Sequence, residues 1–193
     1  MSITVLGVDP SFTCTGYALM TDGDFILANH VRLTDNAETR GAQLTKRIAK
    51  LFNTLNLVAD AIDIDVLAVE RTDWQRNLKN NAEWRKEYAM ERRAQESLAL
   101  LQGALCAFAW SHNIKFVLLG VVEWHKQFGA NNKDAIAELL VREYPDFIEK
   151  CDCNKFGYRL VETQEDVDNN MTDAMGLTKV AYDMEKQSRM VMV

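Results

Sequence analysis

The sequence predicts an α/β domain with a mixed five-stranded sheet flanked by helices. Near the N-terminus, apolar runs of strand length are separated by turn signals, which is typical of antiparallel strands. Two further strand-like runs, at 65–70 and 114–119, each follow a long segment in which apolar residues recur at helical spacing. Antiparallel strands followed by alternating helices and strands indicate a mixed sheet rather than a repeating β-α-β pattern.

The N-terminal strands are predicted to form an antiparallel meander. Residues 2–8 are an apolar run that ends in the carboxylate of Asp9, and a second apolar run follows at 14–20. The Asp-Gly-Asp sequence at 22–24 is a turn signal, and it predicts a third strand from Phe25 to Leu33. Three strands therefore precede any helix.

The middle of the chain alternates between helix and strand. A helix is predicted from Glu38 to Ile62, with Asn36 as its N-cap. The short strand at 65–70 again ends in an acid. A long helix is predicted from about Ala82 to His112, and the fifth strand follows it at 114–119.

The last third of the chain is predicted to be mainly helical. Val122–Phe128 is a turn or short helix, and Asn131–Tyr144 is a helix that Pro145 stops. Residues 146–166 are charged and predicted to be irregular. A final helix is predicted from about Val167 to Lys186.

Composition limits the class of protein. The 193 residues are 48% hydrophobic, without repeats or linkers, so we expect a single domain over 1–193. No apolar stretch is long enough to span a membrane, and no secretion signal is apparent. The cysteines are Cys14, Cys106, Cys151 and Cys153. Because the cysteines are few and scattered, we expect reduced thiols in a cytoplasmic protein. Cys151 and Cys153 are close together but have no second Cys/His pair nearby, so we expect no structural zinc site.

A locally basic, aromatic segment lies between Arg71 and Arg93, although the net charge of the chain is −6. Composition alone favours a solvated helix face with ion pairs at i,i+3 and i,i+4 spacing, such as Glu83 with Lys86. The alternative is a surface that binds nucleic acid through charge and stacking. The candidate residues for DNA binding are Arg71, Trp74, Arg76, Lys79, Arg85 and Lys86.

Two predicted strands end in acids, Asp9 and Glu70. If these strands are parallel neighbours, both acids lie at the sheet edge where ligands bind in α/β proteins. A third acid, Asp173, lies in the last helix, where the small Ala174 and Gly176 permit close packing on the sheet. Each acid alone is more often an ordinary turn, strand-end or surface residue. Together they indicate oxygen ligands for Mg²⁺ or Mn²⁺ rather than for zinc.

Four motifs carry a resemblance to a known family. They are Gly-Val-Asp-Pro at 7–10, Thr-Gly-Tyr at 15–17, Leu-Ala-Val-Glu at 67–70 and Thr-Asp-Ala at 172–174. With these motifs the chain resembles the RuvC-type Holliday junction resolvases, which have the RNase H-like fold. The resemblance spans nearly the whole chain, and the variation outside the motifs looks like that of a phage or otherwise divergent member. It implies one RNase H-like nuclease domain, in the cytoplasm of a bacterium or of the host of a phage.

The resemblance also implies four metal-binding positions. They are Asp9, Glu70, the residue three before Asp173, and Asp173 itself. The third position is Asn170 in this chain, where the family has an acid. Either the neutral amide oxygen of Asn170 coordinates, or Asp166 or Asp168 takes its place.

Lysines and an aromatic wedge complete what the resemblance implies. The family has lysines near the scissile phosphate, and Lys126 and Lys133 have a similar placement. The interpretation of both as solvated loop lysines is equally well supported. Where the family inserts an aromatic residue into the junction, this chain has Asp73. Its neighbour Trp74 could stack on DNA, or it could be a packing residue.

The resemblance predicts a metal-dependent endonuclease for branched DNA, above all four-way junctions. Asp9, Glu70 and Asp173 would hold two Mg²⁺ ions, with Mn²⁺ as a possible substitute, and cleavage would leave 5′-phosphate and 3′-hydroxyl ends. The family acts as a homodimer. The apolar part of the helix at 82–112 is a candidate interface, although such a stripe is more commonly core.

Three other functions stay open at this point. A nuclease of the same fold that cuts flaps or processes RNA would use the same acids. A sugar-kinase or actin-like ATPase shares the Gly-x-Asp strand, but it needs a second, repeated domain for which this chain is too short. A catalytically weak junction-binding protein would fit Asn170 and the acidic net charge.

Overall fold

The computed structural model describes residues 2–11, 14–32, 40–71, 84–130, 132–150 and 169–191. Within these ranges the chain forms strands and helices in the order that the sequence predicts, with one additional short helix that begins at Pro145. The strands are β1 (Thr4–Asp9), β2 (Cys14–Thr21), β3 (Asp24–Arg32), β4 (Val66–Arg71) and β5 (Lys115–Gly120). The helices are α1 (Arg40–Ala61), α2 (Trp84–Ser111), α3 (Val121–Phe128), α4 (Lys133–Glu143), α5 (Pro145–Lys150) and α6 (Asn169–Val191).

The five strands form one mixed sheet in the order β3-β2-β1-β4-β5. β1 and β2 are antiparallel, and the register places Asp9 opposite Gly16. β4 lies parallel to β1 on its other side, with Val8 opposite Val69, and β5 continues the parallel half. The predicted fold class is therefore confirmed.

Helices cover both faces of the sheet, because side chains of a strand alternate between the two faces. Val5 and Ala68 point to the face on which α3, α4 and α6 pack. Leu6 and Leu67 point to the opposite face, which α1 and α2 cover. By this alternation, Asp9 and Glu70 both belong to the α6 face.

Two glycines allow α6 to lie directly against the sheet. A Cβ atom on Gly16 would lie 2.0 Å from the carbonyl oxygen of Asn170. A Cβ atom on Gly7 would lie 2.0 Å from the Thr178 hydroxyl oxygen. A side chain at either position would collide with α6, so the first three turns of α6 lie against the backbones of β1 and β2.

Two predicted boundaries in the last third of the chain were wrong. Pro145 does end α4, but it also begins α5, because proline is well suited to the first position of a helix. The segment predicted to be irregular from 146 is therefore helical as far as Lys150. α6 runs to Val191 instead of ending at Lys186, whereas the short helix that was one prediction for Val122–Phe128 is confirmed as α3.

The extension of α6 is held by ion pairs to the sheet. Arg189 pairs with Asp65 and with Glu185, both at 2.9 Å, and Glu185 also pairs with Lys115 on β5 at 2.7 Å. The hydrogen bond from Lys115 and that from Arg189 hold the pKa of Glu185 below its ordinary value. The last turns of α6 are thus fixed to the sheet edge opposite Asp9.

Other sequence expectations meet the structure only in part. Cys14 and Cys106 are free thiols, whereas Cys151, Cys153 and the predicted cap Asn36 lie outside the described residues. Among the described helices, none is long and apolar enough to cross a lipid bilayer.

Candidate active site

Asp9 and Glu70 lie side by side at the ends of neighbouring parallel strands. Val8 is opposite Val69 in the register of β1 and β4, and each acid is the next residue of its strand. Asp9 is only 6% exposed. Since both residues follow the alternation to the α6 face, the two side chains share one edge and one face of the sheet.

Asp173 reaches the same place from α6. Its side chain is buried, with 5% exposure. Two contacts of α6 with the sheet fix the position of Asp173. Asn170 touches Gly16, which is the register partner of Asp9. The Ala174 carbonyl oxygen lies 2.9 Å from the position of a Cβ atom on Gly7. Asp173 lies between these two contact points, so the structure brings it to the sheet end that carries Asp9.

Glu70 is held by side chains from two helices. The indole Nε1 of Trp124 donates a hydrogen bond to Glu70 Oε2 at 3.0 Å. The amide Nε2 of Gln102 donates to the backbone carbonyl of Glu70 at 2.7 Å. Trp124 comes from α3 and Gln102 from α2, so helices on opposite faces of the sheet anchor this strand end.

Sequence reasoning did not identify Trp124 and Gln102 as site residues. Each contact joins residues far apart in the chain, 54 positions for Trp124 and 32 for Gln102. The one local signal for a role of Trp124 is its place soon after a predicted buried strand. A buried tryptophan usually needs a hydrogen-bond partner for its N–H.

Asn170 uses its side chain to tie α6 to the hairpin. Its amide Nδ2 donates to the carbonyl oxygen of Cys14 at 2.6 Å. This contact brings the start of α6 against β2, two residues before Gly16. The alternative ligands Asp166 and Asp168 lie outside the described residues.

The three acids offer the right donors for a hard divalent cation. Carboxylate oxygens suit Mg²⁺ or Mn²⁺, and the donor set contains no thiolate or imidazole that would favour zinc. Within the described ranges, no three His, Cys, Asp or Glu side chains are already gathered closely enough to hold one ion. The residues therefore fit such an ion by chemistry and by placement, without forming a closed coordination shell.

Comparison with known families decides the family of this chain. The family of the crossover junction endodeoxyribonuclease RuvC matches residues 5–130, from β1 to the end of α3. This is well over half of the chain and includes Asp9, Glu70 and Trp124. The chain belongs to the RuvC family.

Solved structures agree with this assignment. Thermus thermophilus RuvC in complex with a Holliday junction substrate has a TM-score of 0.62 and 15% identity, covering 95% of this chain and 96% of that chain. Another T. thermophilus RuvC structure gives a TM-score of 0.60 with 15% identity over 96% of this chain and 97% of that one.

The yeast mitochondrial Holliday junction resolvase Ydc2 is similar as well. Its TM-score is 0.57 with 15% identity, covering 95% of this chain and 79% of that chain. At this identity the likeness establishes the RuvC fold. None of the curated protein sequences matches the chain.

The predicted lysines of this RuvC-family chain lie on helices close to Trp124. Lys126 is an exposed residue of α3, and Lys133 is the first residue of α4. The side chain of Lys133 lies outside the described part of the structure. Asn132 caps α4, since its Oδ1 accepts a hydrogen bond from the backbone N–H of Ala135 at 2.8 Å.

Few of the predicted DNA-binding residues fall within the described structure. Arg71 ends β4, directly after Glu70, and is exposed. Arg85 and Lys86 lie in the first turn of α2, but their side chains are not among those described. The remaining three residues, Trp74, Arg76 and Lys79, lie outside the described residues, as does Asp73.

Proposed function

We propose that this RuvC-family chain is a metal-dependent endonuclease that resolves four-way DNA junctions. The observation that carries the proposal is the meeting of Asp9 and Glu70 at adjacent strand ends, with Asp173 delivered to the same face by α6. Family membership supports it, because the matching region includes both strand-end acids.

Asp9, Glu70, Asp173 and, through its amide oxygen, Asn170 would hold Mg²⁺ or Mn²⁺, with two ions per site. When bound, such ions supply activation of water and stabilisation of the leaving 3′ oxygen, which gives 5′-phosphate and 3′-hydroxyl ends. The chain contributes rigidity, because Asp9 and Asp173 are buried and the hydrogen bond from Trp124 orients Glu70. Fixed carboxylates need no reorganisation when substrate binds.

Basic residues that are near Glu70 and Trp124 in the sequence would receive the DNA backbone. Arg71 is the residue after Glu70, and Lys126 is exposed two residues after Trp124. Lys126, or Lys133 at the start of α4, would neutralise charge that develops on the scissile phosphate. These local charges matter because the chain carries a net charge of −6 and has no general attraction for DNA.

An exposed apolar stripe supports a homodimer. The second half of α2 buries one face against α1 and the sheet, yet Leu100 is 60% exposed and Trp110 is 87% exposed. Gly103, Cys106 and Ala107 lie on the same exposed side. A large apolar surface of this kind usually marks an interaction site, and a second copy of α2 would cover it. We propose that each copy is a single domain over 1–193.

Cleavage assays on purified protein test the proposal. In Mg²⁺, the protein should cut a four-way junction faster than a flap, a fork or a linear duplex of the same sequences. Asp9→Asn and Glu70→Gln should abolish cleavage but retain junction binding. Unchanged cutting by either variant would overturn the assignment of the acids, and equal cutting of flaps would favour a broader nuclease.

A further inference from the structure

Trp124 has a second connection to the site besides its hydrogen bond with Glu70. The side chain is completely buried. A Cβ atom on Gly176 would lie only 2.8 Å from Trp124 Cζ3, so α6 packs directly on the edge of the indole. Gly176 is one turn along α6 from Asp173. The Trp124 ring therefore contacts both the helix that carries Asp173 and the carboxylate of Glu70.

Packing alone does not explain the choice of tryptophan at this position. A phenylalanine would fill much of the same apolar space among Ala130, Ile136 and the α6 residues around Gly176. The indole adds an N–H, and that N–H is directed at Glu70 Oε2. A hydrogen bond to a carboxylate is about twice as strong as one between neutral groups, so it holds the carboxylate in one orientation.

We propose that Trp124 is a positioning residue for the reaction, and that its indole N–H orients the Glu70 carboxylate for binding of the divalent ion. The inference rests on the proposed function. Glu70 Oε2 accepts the hydrogen bond from the indole N–H. Gln102 donates to the backbone carbonyl of Glu70. The two contacts together restrict the backbone and the side chain of Glu70.

Two changes at Trp124 separate the hydrogen bond from the packing. Trp124→Phe removes the N–H and part of the ring. Site-specific replacement by 3-benzothienylalanine removes only the N–H, because sulfur takes the place of the indole nitrogen in a ring of the same shape. The matched control is Tyr144→Phe, which removes an O–H from an aromatic side chain that packs on Phe25, at the end of the sheet opposite the acids.

The first measurement is Mn²⁺ affinity, read from the electron paramagnetic resonance of free Mn²⁺. Residues that hydrogen-bond metal ligands typically change affinity by about 10- to 100-fold when they are replaced. We expect both Trp124 replacements to weaken Mn²⁺ binding within that range, and Tyr144→Phe to leave it unchanged. The benzothienyl protein should still unfold cooperatively and melt only a little below the wild type, because the ring keeps its packing and one hydrogen bond is lost.

The second measurement needs no metal. In ¹H–¹⁵N spectra, Glu70→Gln should shift the indole N–H resonance of Trp124 and leave that of Trp110 in place. If Mn²⁺ affinity is unchanged or higher in the benzothienyl protein while Glu70→Gln weakens it, the positioning role is overturned and the proposed function stands. If the wild type neither binds Mn²⁺ nor cuts a junction, the proposed function fails and the positioning role with it.

Discussion

Replacement of Gly16 by alanine is the most direct probe of how α6 reaches the sheet. The added Cβ would lie 2.0 Å from the carbonyl oxygen of Asn170, 2.3 Å from its carbonyl carbon and 2.8 Å from the backbone nitrogen of Met171. All three neighbours are backbone atoms, so no rotamer change relieves the contact. The start of α6 would have to move away from β2.

The size of the effect follows from that contact. Real Cβ atoms essentially never approach closer than 3.0 Å, so a contact at 2.0 Å requires a shift of roughly 1 Å. Overpacking of this kind costs about 1–3 kcal/mol. At about 2–4 °C per kcal/mol for a chain of this length, the melting temperature should fall by about 2–12 °C. Because Asp173 moves with α6, a displacement near 1 Å should slow cleavage about 100-fold.

Single-turnover cleavage of a four-way junction and thermal unfolding measure the two effects on the same samples. Gly103→Ala is the matched control for thermal unfolding, since no atom of the described part of the chain lies within 4 Å of a Cβ atom there. Alanine in place of a helical glycine should stabilise α2 by about 0.5–1 kcal/mol. This change in stability is opposite in sign to that expected for Gly16→Ala. Normal cleavage and melting of Gly16→Ala would refute the argument that close contact with β2 sets the position of Asp173.

Two further predictions concern α6 and α2. The pKa of Glu185 is lowered by Lys115 and Arg189, so the stabilisation it provides is present above its ordinary pKa and is lost as the pH falls through the lowered value. Glu185→Gln should therefore flatten the acid side of a plot of unfolding free energy against pH, and an unchanged plot would contradict this. Trp110→Glu should give a monomer in analytical ultracentrifugation, whereas a persistent dimer would place the interface elsewhere.

Much of the fold could be predicted because its signals are local. Turn residues at 22–24 mark the connection between β2 and β3, and apolar periodicity marks the long helices. The approach of Asp9 to Glu70 was also predictable, since acids at the ends of adjacent parallel strands must lie at one edge. That prediction needed only the assumption that β1 and β4 are neighbours, which the sheet order confirms.

The features that escaped prediction depend on contacts between distant parts of the chain. The hydrogen bond from Trp124 to Glu70 exists only once α3 has packed beside α6. The end of α6 was placed too early because Arg189 is stabilised by Asp65, 124 residues away. The helical propensity of nearby residues carries no information about such pairs.

Asn170 shows why the departure from the family pattern is consistent with the local packing. Its amide nitrogen donates to the Cys14 carbonyl oxygen at 2.6 Å. An ionised aspartate has only acceptor oxygens, so in the same orientation it would set two acceptors against each other at that distance. A buried acceptor left in this way costs about 1–3 kcal/mol. The neutral amide thus suits the contact that seats α6 on the hairpin, and Asp9, Glu70 and Asp173 are left as the acids of the site within the described residues.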